Sequence, residues 1–227
     1  MADYSSSDAQ FLSETTGNFT ANITLEAGVT VAVCLVGGFE FAGDTYTATL
    51  DGNSPDVSLS HSDYVRMFMW ADPTTGSDIE LSVTGLDAGD YSPVALFGVT
   101  SADSAEIADT GSPDTATSAA EDPSVDLTTA TDDLCVDASS VWDTTSGADR
   151  ITEGAGQTEI YEDWVGGGIN TRASFTYEKA TGASTTMSQD YATTLGSYSY
   201  GAFVIPTAEA IAISPYYANY YSRVVLG

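Results

Sequence analysis

The stretch that decides the fold is Ile23-Thr24-Leu25-Glu26-Ala27-Gly28-Val29-Thr30-Val31-Ala32-Val33-Cys34-Leu35-Val36. Before Gly28, apolar and polar side chains alternate, which is the two-residue period of a half-buried strand. After Gly28 comes an apolar run of strand length, much shorter than the roughly 20 residues of a membrane span. The stretch therefore predicts β-structure.

The same period of two continues along the chain. About a dozen short segments, separated every ten or so residues by Gly, Asp and Pro, are typical of an all-β sandwich. No segment keeps a helical period for more than two turns. Asp51-Gly52-Asn53 supplies residues that tolerate positive φ, so it predicts a tight turn. After the opening stretch, the predicted strands are 46–50, 57–60, 64–71, 79–84, 94–100, 125–128, 134–141, 157–164, 172–178, 184–189 and 198–205.

The domain organisation follows from where apolar residues are sparse. We expect one antiparallel, jelly-roll-like β-sandwich over residues 16–208, after a polar N-terminal arm at 1–15 and before a Tyr-rich C-terminal extension at 209–227. The segment 101–123 is rich in Ala, Ser, Thr and Asp, and is either a long surface loop or a linker between two halves. We favour the loop, because the strands on either side are few for two separate cores.

The charge is extreme: 33 acidic residues against five Lys and Arg give a net charge of -28. Self-repulsion on this scale is relieved in brine, where the Debye length falls to roughly 3 Å at 1 M salt. A mimic of nucleic acid would concentrate its carboxylates in blocks, whereas these are scattered. With 42% hydrophobic residues the chain has material for a core, which disfavours global disorder. The composition indicates a halophilic surface and, without a basic patch, disfavours nucleic acid or anionic membranes as partners.

The beginning of the sequence carries no secretion signal. Met1-Ala2-Asp3-Tyr4-Ser5-Ser6-Ser7-Asp8 has neither a positive n-region nor an apolar h-region. We therefore expect the protein to be made and folded in the cytoplasm.

Several ordered segments resemble a recurring pattern in structural β-sandwich proteins of tailed phages. They are TGSDIELSVTGL (75–86), SPVALFGVTSADSA (92–105), TDDLCVDASSVW (131–142), EGAGQTEIYED (153–163), ATGASTTMSQDY (180–191) and YGAFVIPTA (200–208). The glycines and proline in these segments fit turns: Gly154, Gly156, Gly182 and Pro206. The resemblance implies a non-enzymatic virion protein, a capsid decoration, vertex turret or tail component. With the halophilic surface, it implies a virus of a haloarchaeal host.

Such a protein would act by binding copies of itself and other virion proteins, the major capsid or tail proteins. The candidate interface residues are aromatic or apolar side chains in the two terminal segments: Tyr216, Tyr217, Tyr220, Tyr221, Phe11 and Leu12. The alternative is a carbohydrate-binding adhesin that recognises a host surface glycan. Its sugar-stacking candidates are Trp70, Trp142 and Trp164.

Catalytic chemistry finds little support in the sequence. The single histidine, His61, lies in Ser60-His61-Ser62-Asp63, and no Gly-x-Ser-x-Gly elbow accompanies it. With 33 acids, some carboxylate pair reaches a glycosidase-like spacing by chance, so such pairs do not discriminate. We expect no catalytic residue and no cofactor.

Cation and thiol chemistry give weaker expectations. The segment 87–90, the pair Asp132-Asp133, and Asp143 could offer oxygen ligands to Na⁺, K⁺ or a Ca²⁺ ion, most simply without a specific site. Cys34 and Cys135 lie in alternating apolar segments, which favours buried free thiols. A disulfide between Cys34 and Cys135 is the alternative, and it requires that their strands be neighbours.

Overall fold

The computed structural model describes residues 2–15, 18–37, 46–61, 65–85, 92–103, 106–111, 114–116, 122–143, 151–165, 171–192 and 196–208, with the backbone alone at 3–15, 61, 114–116 and 163–165. All regular elements in these ranges are strands, and every pairing is antiparallel. The strands are β1 (Asp3–Thr15), β2 (Phe19–Leu25), β3 (Val29–Gly37), β4 (Thr47–Leu50), β5 (Val57–His61), β6 (Val65–Ala71), β7 (Gly76–Thr84), β8 (Ser92–Thr100), β9 (Asp114–Ala116), β10 (Ser124–Thr128), β11 (Leu134–Trp142), β12 (Ile151–Glu153), β13 (Thr158–Val165), β14 (Thr171–Lys179), β15 (Ser184–Tyr191) and β16 (Tyr198–Ile205).

The predicted all-β, antiparallel sandwich class is confirmed, and its layers number four. The first inner sheet has the order β1-β8-β3-β6-β5, and the first outer sheet β2-β7-β4. The second inner sheet has the order β9-β16-β11-β14-β13, and the second outer sheet β10-β15-β12. Adding eight to each strand number of the first pair gives the second pair. The chain thus forms the same two-layer sandwich twice, the first sandwich from β1–β8 and the second sandwich from β9–β16.

The registers of the two sandwiches are also equivalent. The central strand is β3 in the first inner sheet and β11 in the second. Equivalent residues of these strands have equivalent partners: Val33 pairs with Phe97 of β8, and Val136 pairs with Phe203 of β16. Because side chains alternate across a strand, neighbouring residues on β3 and β11 serve two different cores. The inner sheets are therefore covered on both faces, as their nearly continuous buried patterns show.

Three hydrophobic clusters fill the spaces between the four layers. A central cluster joins the two inner sheets, with Val33 and Leu35 from β3 meeting Val136 and Phe175 of the second sandwich. The other two lie inside the first sandwich and inside the second. At Gly37 the layers are so close that an added Cβ would lie 3.3 Å from Pro93 Cγ and 3.4 Å from Ala173 Cβ. The two sandwiches thus share a core.

Two segments that we predicted to be irregular are partly ordered by pairing. Over Asp3–Thr15 the expected arm is instead β1, which pairs with β8 at the edge of the first inner sheet. An edge strand pairs on one side only, so a polar sequence suffices there. The segment 101–123 connects the two sandwiches and contains β9, which pairs with β16. Asp109 also links this segment to β10, since its carboxylate accepts the Thr128 backbone N–H at 2.6 Å.

Several local predictions are confirmed. Asp51 (φ 51°) and Gly52 (φ 76°) both have positive φ, and Leu50 and Asn53 exchange backbone hydrogen bonds around them at 2.9 and 3.0 Å. Positive φ at both central residues is the type I′ hairpin geometry. Cys34 and Cys135 are free and buried, as expected.

Candidate functional site

The polar centre of the second sandwich is Asp137, a fully buried carboxylate in the middle of β11. Its Oδ1 accepts bonds from the Thr176 hydroxyl at 2.8 Å and the Gln189 amide at 3.0 Å. Its Oδ2 accepts bonds from the Tyr200 hydroxyl and the Gln157 amide, both at 2.7 Å. The donors come from β14, β15, β16 and the turn before β13. One carboxylate thus connects both sheets of the sandwich.

Burial dominates the titration of this group. Removal from water raises the pKa of Asp137 to about 6, although the bonds from Tyr200, Thr176, Gln157 and Gln189 act to lower it. Glu178, on β14, has its pKa raised by partial burial and by the charge of Asp137. Burial therefore opposes ionisation of Asp137, and the four hydrogen bonds offset part of that penalty. The network links the inner and outer sheets of the second sandwich through hydrogen bonds.

A second buried charge cluster lies near the end of β11. Arg172 is 1% exposed, its Nε donates to Asp143 Oδ2 at 2.9 Å, and its Nη1 donates to Glu162 Oε1. Burial alone would lower the pKa of Arg172, but the bonds and charges of Glu162 and Asp143 raise it. One guanidinium thus links β14 to β13 and to the residue after β11. Removing either the arginine or the two acids would leave a buried charge unpaired.

Gln157 closes one side of the second sandwich, between β12 and β13. Besides donating to Asp137, its amide accepts the Ser188 backbone N–H at 2.9 Å, so it bridges the inner and outer sheets. Gly154 makes room for it: a Cβ there would lie 2.2 Å from Gln157 Oε1. Gly156 has φ 93°, which favours glycine. The turn geometry that we predicted for both glycines is confirmed.

The equivalent side of the first sandwich, between the edge strands β4 and β5, is open. Two clefts of about 460 and 360 Å³ lie there side by side, with Ser54 lining both, and together they are called the groove. These volumes lie in the range of ligand-binding clefts. The larger part is lined by residues from β4, β5, β6 and the turn between β4 and β5: Tyr46, Thr47, Ala48, Thr49, Ser54, Pro55, Ser58 and Phe68.

The smaller part of the groove, toward Asp72, is polar. Asp56 and Asp72 line it, and the Asp56 carboxylate accepts the Ala71 backbone N–H at 2.8 Å. Trp70 borders it, 3% exposed, with Nε1 donating to Asn53 O at 3.0 Å. At the other end, the Arg66 guanidinium carbon lies 5.5 Å from the Tyr46 ring centroid. The groove combines aromatic edges, hydroxyls and two acids.

Of the sequence-predicted site residues, the structure describes the side chains of Trp70 and Trp142, which lie in different sandwiches. Trp70 belongs to the core of the first sandwich, so its ring face is not available for sugar stacking. Trp142 is half-buried at the end of β11, beside Gly196, in the second sandwich. Trp164 lies on β13, Phe11 and Leu12 lie on β1, and His61 ends β5, with only their backbones described. Tyr216, Tyr217, Tyr220 and Tyr221 lie outside the described residues.

Two of the expected oxygen ligands, Asp133 and Asp143, have other partners. The Asp133 carboxylate accepts the Ala130 N–H at 2.7 Å and the Thr207 N–H at 2.9 Å, and Asp143 binds Arg172. The segment 87–90 lies outside the described residues. Within the described ranges, no three His, Cys, Asp or Glu side chains form a group that could hold a metal ion.

Sequence reasoning missed Asp137, Gln157 and Arg172. The available signal was its setting: Asp137 interrupts the apolar run Leu134-Cys135-Val136-Asp137-Ala138, which is typical of a strand buried on both faces. A charge at such a position indicates a buried, bonded carboxylate.

Comparisons with known proteins give no match: no family model, no curated protein and no solved structure matches this chain. In the part of the chain that the structure describes, no helix is long and apolar enough to cross a membrane.

Proposed function

We propose that this protein is a non-enzymatic structural subunit of a virion of a halophilic virus, as a capsid decoration, vertex turret or tail component. It acts by association of symmetric copies and by binding other virion proteins, after assembly in the host cytoplasm. The sequence resemblance to phage structural β-sandwiches and the net charge of -28 support this proposal.

The observation that carries the proposal is the open character of the sheets. Each of the four sheets ends in two edge strands, so the described part of the chain presents eight strand edges. Edge strands offer backbone hydrogen-bonding groups to other chains, and assembly is one productive use of them. The shared core between the two sandwiches supplies a common support for such contacts.

The experiment measures fold and oligomeric state together as salt is varied. In molar KCl we expect a symmetric oligomer by light scattering and a folded β-spectrum by circular dichroism. In dilute buffer we expect dissociation and loosening, because the screening of scattered carboxylates is lost. If both the fold and the oligomer persist in dilute buffer, the proposal that the protein is adapted to high salt is contradicted. A monomer at every salt and protein concentration contradicts the assembly part.

A carbohydrate-binding adhesin is the second candidate, and Trp142 favours it. Its indole is partly exposed and packs on Gly196, where a Cβ would lie 2.9 Å from the ring. Specific binding on a glycan array that is lost in Trp142→Ala or Trp164→Ala, and kept in Trp70→Phe, supports this function. Glycan turnover abolished by one carboxylate substitution contradicts both candidates.

A further inference from the structure

The buried network around Asp137 holds an amide and a hydroxyl in direct contact. Gln157 Nε2 lies 2.5 Å from Thr176 Oγ1, and these residues are only 8% and 1% exposed. The amide carbon is one bond of about 1.33 Å from that nitrogen, so it lies no more than about 3.8 Å from the hydroxyl oxygen. Reacting atoms in a near-attack geometry are about 3–3.5 Å apart. A modest rotation about the last torsion of the Gln157 side chain, which is a soft one, therefore brings the hydroxyl over the carbonyl carbon.

The groups around this contact are those that acyl transfer requires. Asp137 Oδ1 accepts the Thr176 hydroxyl at 2.8 Å, and Asp137 Oδ2 accepts Gln157 Nε2 at 2.7 Å. The same carboxylate thus touches the nucleophile and the leaving group. The Ser188 backbone N–H donates to the Gln157 carbonyl oxygen at 2.9 Å, where negative charge develops when a nucleophile adds to the carbonyl. A nucleophile, a base and an oxyanion donor therefore converge on one amide.

Burial suits this carboxylate to acid–base chemistry. Removal from water raises the pKa of Asp137 to about 6, close enough to neutral pH for the group both to accept and to return a proton. Burial also excludes water, which competes with the hydroxyl as a nucleophile and hydrolyses esters. Gln157 lies at the side of the second sandwich and is slightly exposed, so a leaving amine forms close to solvent.

We propose that Thr176 and Gln157 form an ester that cross-links β14 to the turn before β13. Asp137 takes the hydroxyl proton as Thr176 Oγ1 attacks Gln157 Cδ, and it returns a proton to the nitrogen as the C–N bond breaks. A C–O bond replaces the C–N bond and ammonia leaves, so no oxidant, reductant or cofactor takes part. The chain modifies itself once and has no external substrate. The proposal is independent of the virion role, since it concerns one molecule.

The ester secures an edge strand. β13 ends the second inner sheet and pairs with β14 alone among the described strands. Gln157 and Thr176 are 19 residues apart, and the loop that their ester closes contains all of β13. The first sandwich lacks this chemistry, because the residues equivalent to Thr176 and Asp137 are Phe68 and Cys34. The cross-link is therefore confined to the second sandwich.

The test is mass spectrometry of the full chain purified in molar KCl. We expect the folded wild type to be about 17 Da lighter than its sequence requires, because one ammonia has left. Tandem mass spectrometry of a digest should show positions 157 and 176 in one cross-linked peptide. Alkaline hydroxylamine should cleave that link, because it cleaves esters and leaves amides intact.

Four variants separate the reaction from folding, which circular dichroism reports for each. Thr176→Val removes the nucleophile and should have the full sequence mass, whereas Thr176→Ser restores a hydroxyl and should recover the loss. Asp137→Asn removes the base and should lower the cross-linked fraction at least tenfold. The control Thr186→Val removes a hydroxyl at an exposed position on β15 and should leave the loss unchanged.

The mass of the folded wild type decides the matter even where a variant fails to fold. A folded wild type with the full sequence mass overturns the proposal. A loss of about 17 Da that persists in Thr176→Val, or that maps to a peptide without both positions, overturns it as well. A folded Asp137→Asn variant that is cross-linked as fully as the wild type overturns the acid–base role of Asp137.

Discussion

The first and second sandwiches have the same strand order and register, and each has a hydrophobic cluster, yet they place opposite chemistry at one equivalent central position. Where the first sandwich places Cys34 between Phe68 and Leu96, the second places Asp137 between Thr176 and Ala202. Both Cys34 and Asp137 are fully buried. The topology therefore does not depend on an apolar centre. What the fold requires is that each inward group find its complement, apolar contact at Cys34 and hydrogen bonds at Asp137.

The two solutions differ in how they respond to change. An apolar core is insensitive to pH and loses stability gradually as methylenes are removed. A buried polar network depends on all its members, because a missing partner leaves a desolvated group unsatisfied. The comparison predicts that substitutions and pH affect the second sandwich in ways that have no counterpart in the first.

The largest effect is expected at Arg172. Arg172→Met leaves Asp143 and Glu162 buried without their cation, which costs about 3–5 kcal/mol in the free energy of unfolding. Urea denaturation in molar KCl measures the loss. Arg172→Lys keeps the charge and should recover part of it. A loss below about 1 kcal/mol would show that water reaches the two acids and that the cluster is not sealed.

A second prediction concerns Asp137 and pH. Its pKa of about 6 is above the ordinary value of about 3.9, so the folded protein binds a proton more tightly than the unfolded chain. The stability contributed by Asp137 is fully present below pH ~4 and is lost as the pH rises through 6, by up to about 3 kcal/mol. Asp137→Asn should remove this component from the pH profile.

The measurement is urea denaturation at several pH values between 4 and 7.5 at constant high salt. Because many surface carboxylates also titrate below pH 5, the informative quantity is the difference between the wild type and Asp137→Asn. Glu80→Gln, at an exposed position on β7 of the first sandwich, is the control and should keep the wild-type profile. Parallel profiles for the wild type and Asp137→Asn would contradict the assignment.

The smallest effect is expected at Tyr200. Tyr200→Phe removes one of the donors to Asp137 Oδ2 and should cost about 1–2 kcal/mol. Because that bond lowers the pKa of Asp137, its loss should move the pH midpoint of the stability change upward. Tyr198→Phe is the control, since the Tyr198 ring packs edge-on against Tyr191 at 5.2 Å. An unmoved midpoint in Tyr200→Phe would remove Tyr200 from the network.

Much of the secondary structure followed from local pattern. The alternation in 198–205 predicted the bounds of β16, and Asp51-Gly52 predicted its turn, because both signals depend on residues next to each other. The edge strands β1, β9 and β12 were missed, since a strand that pairs on one side needs no apolar period. The repeat of the sandwich was also missed. Equivalent residues such as Cys34 and Asp137 point into the same part of their sandwiches but differ in chemistry. The amino-acid sequences of the two halves therefore show no evident repeat.

The site was less predictable than the fold. Gln157, Gln189 and Tyr200 meet Asp137 from segments far apart in sequence, and only the pairing of strands brings them together. The groove depends equally on which strands end a sheet. The tryptophans were chosen for their residue type, and residue type does not report that Trp70 faces a core.

The central cluster between the inner sheets has a consequence for each half of the molecule taken alone. Equivalent faces meet there: β3 lies against β11, and the contact of β8 with β13 is matched by that of β16 with β5. Such reciprocity is the hallmark of an isologous dimer. One eight-stranded unit taken alone would expose the apolar face of its inner sheet that the other unit covers. Each half of the chain therefore provides the burial that the other half needs.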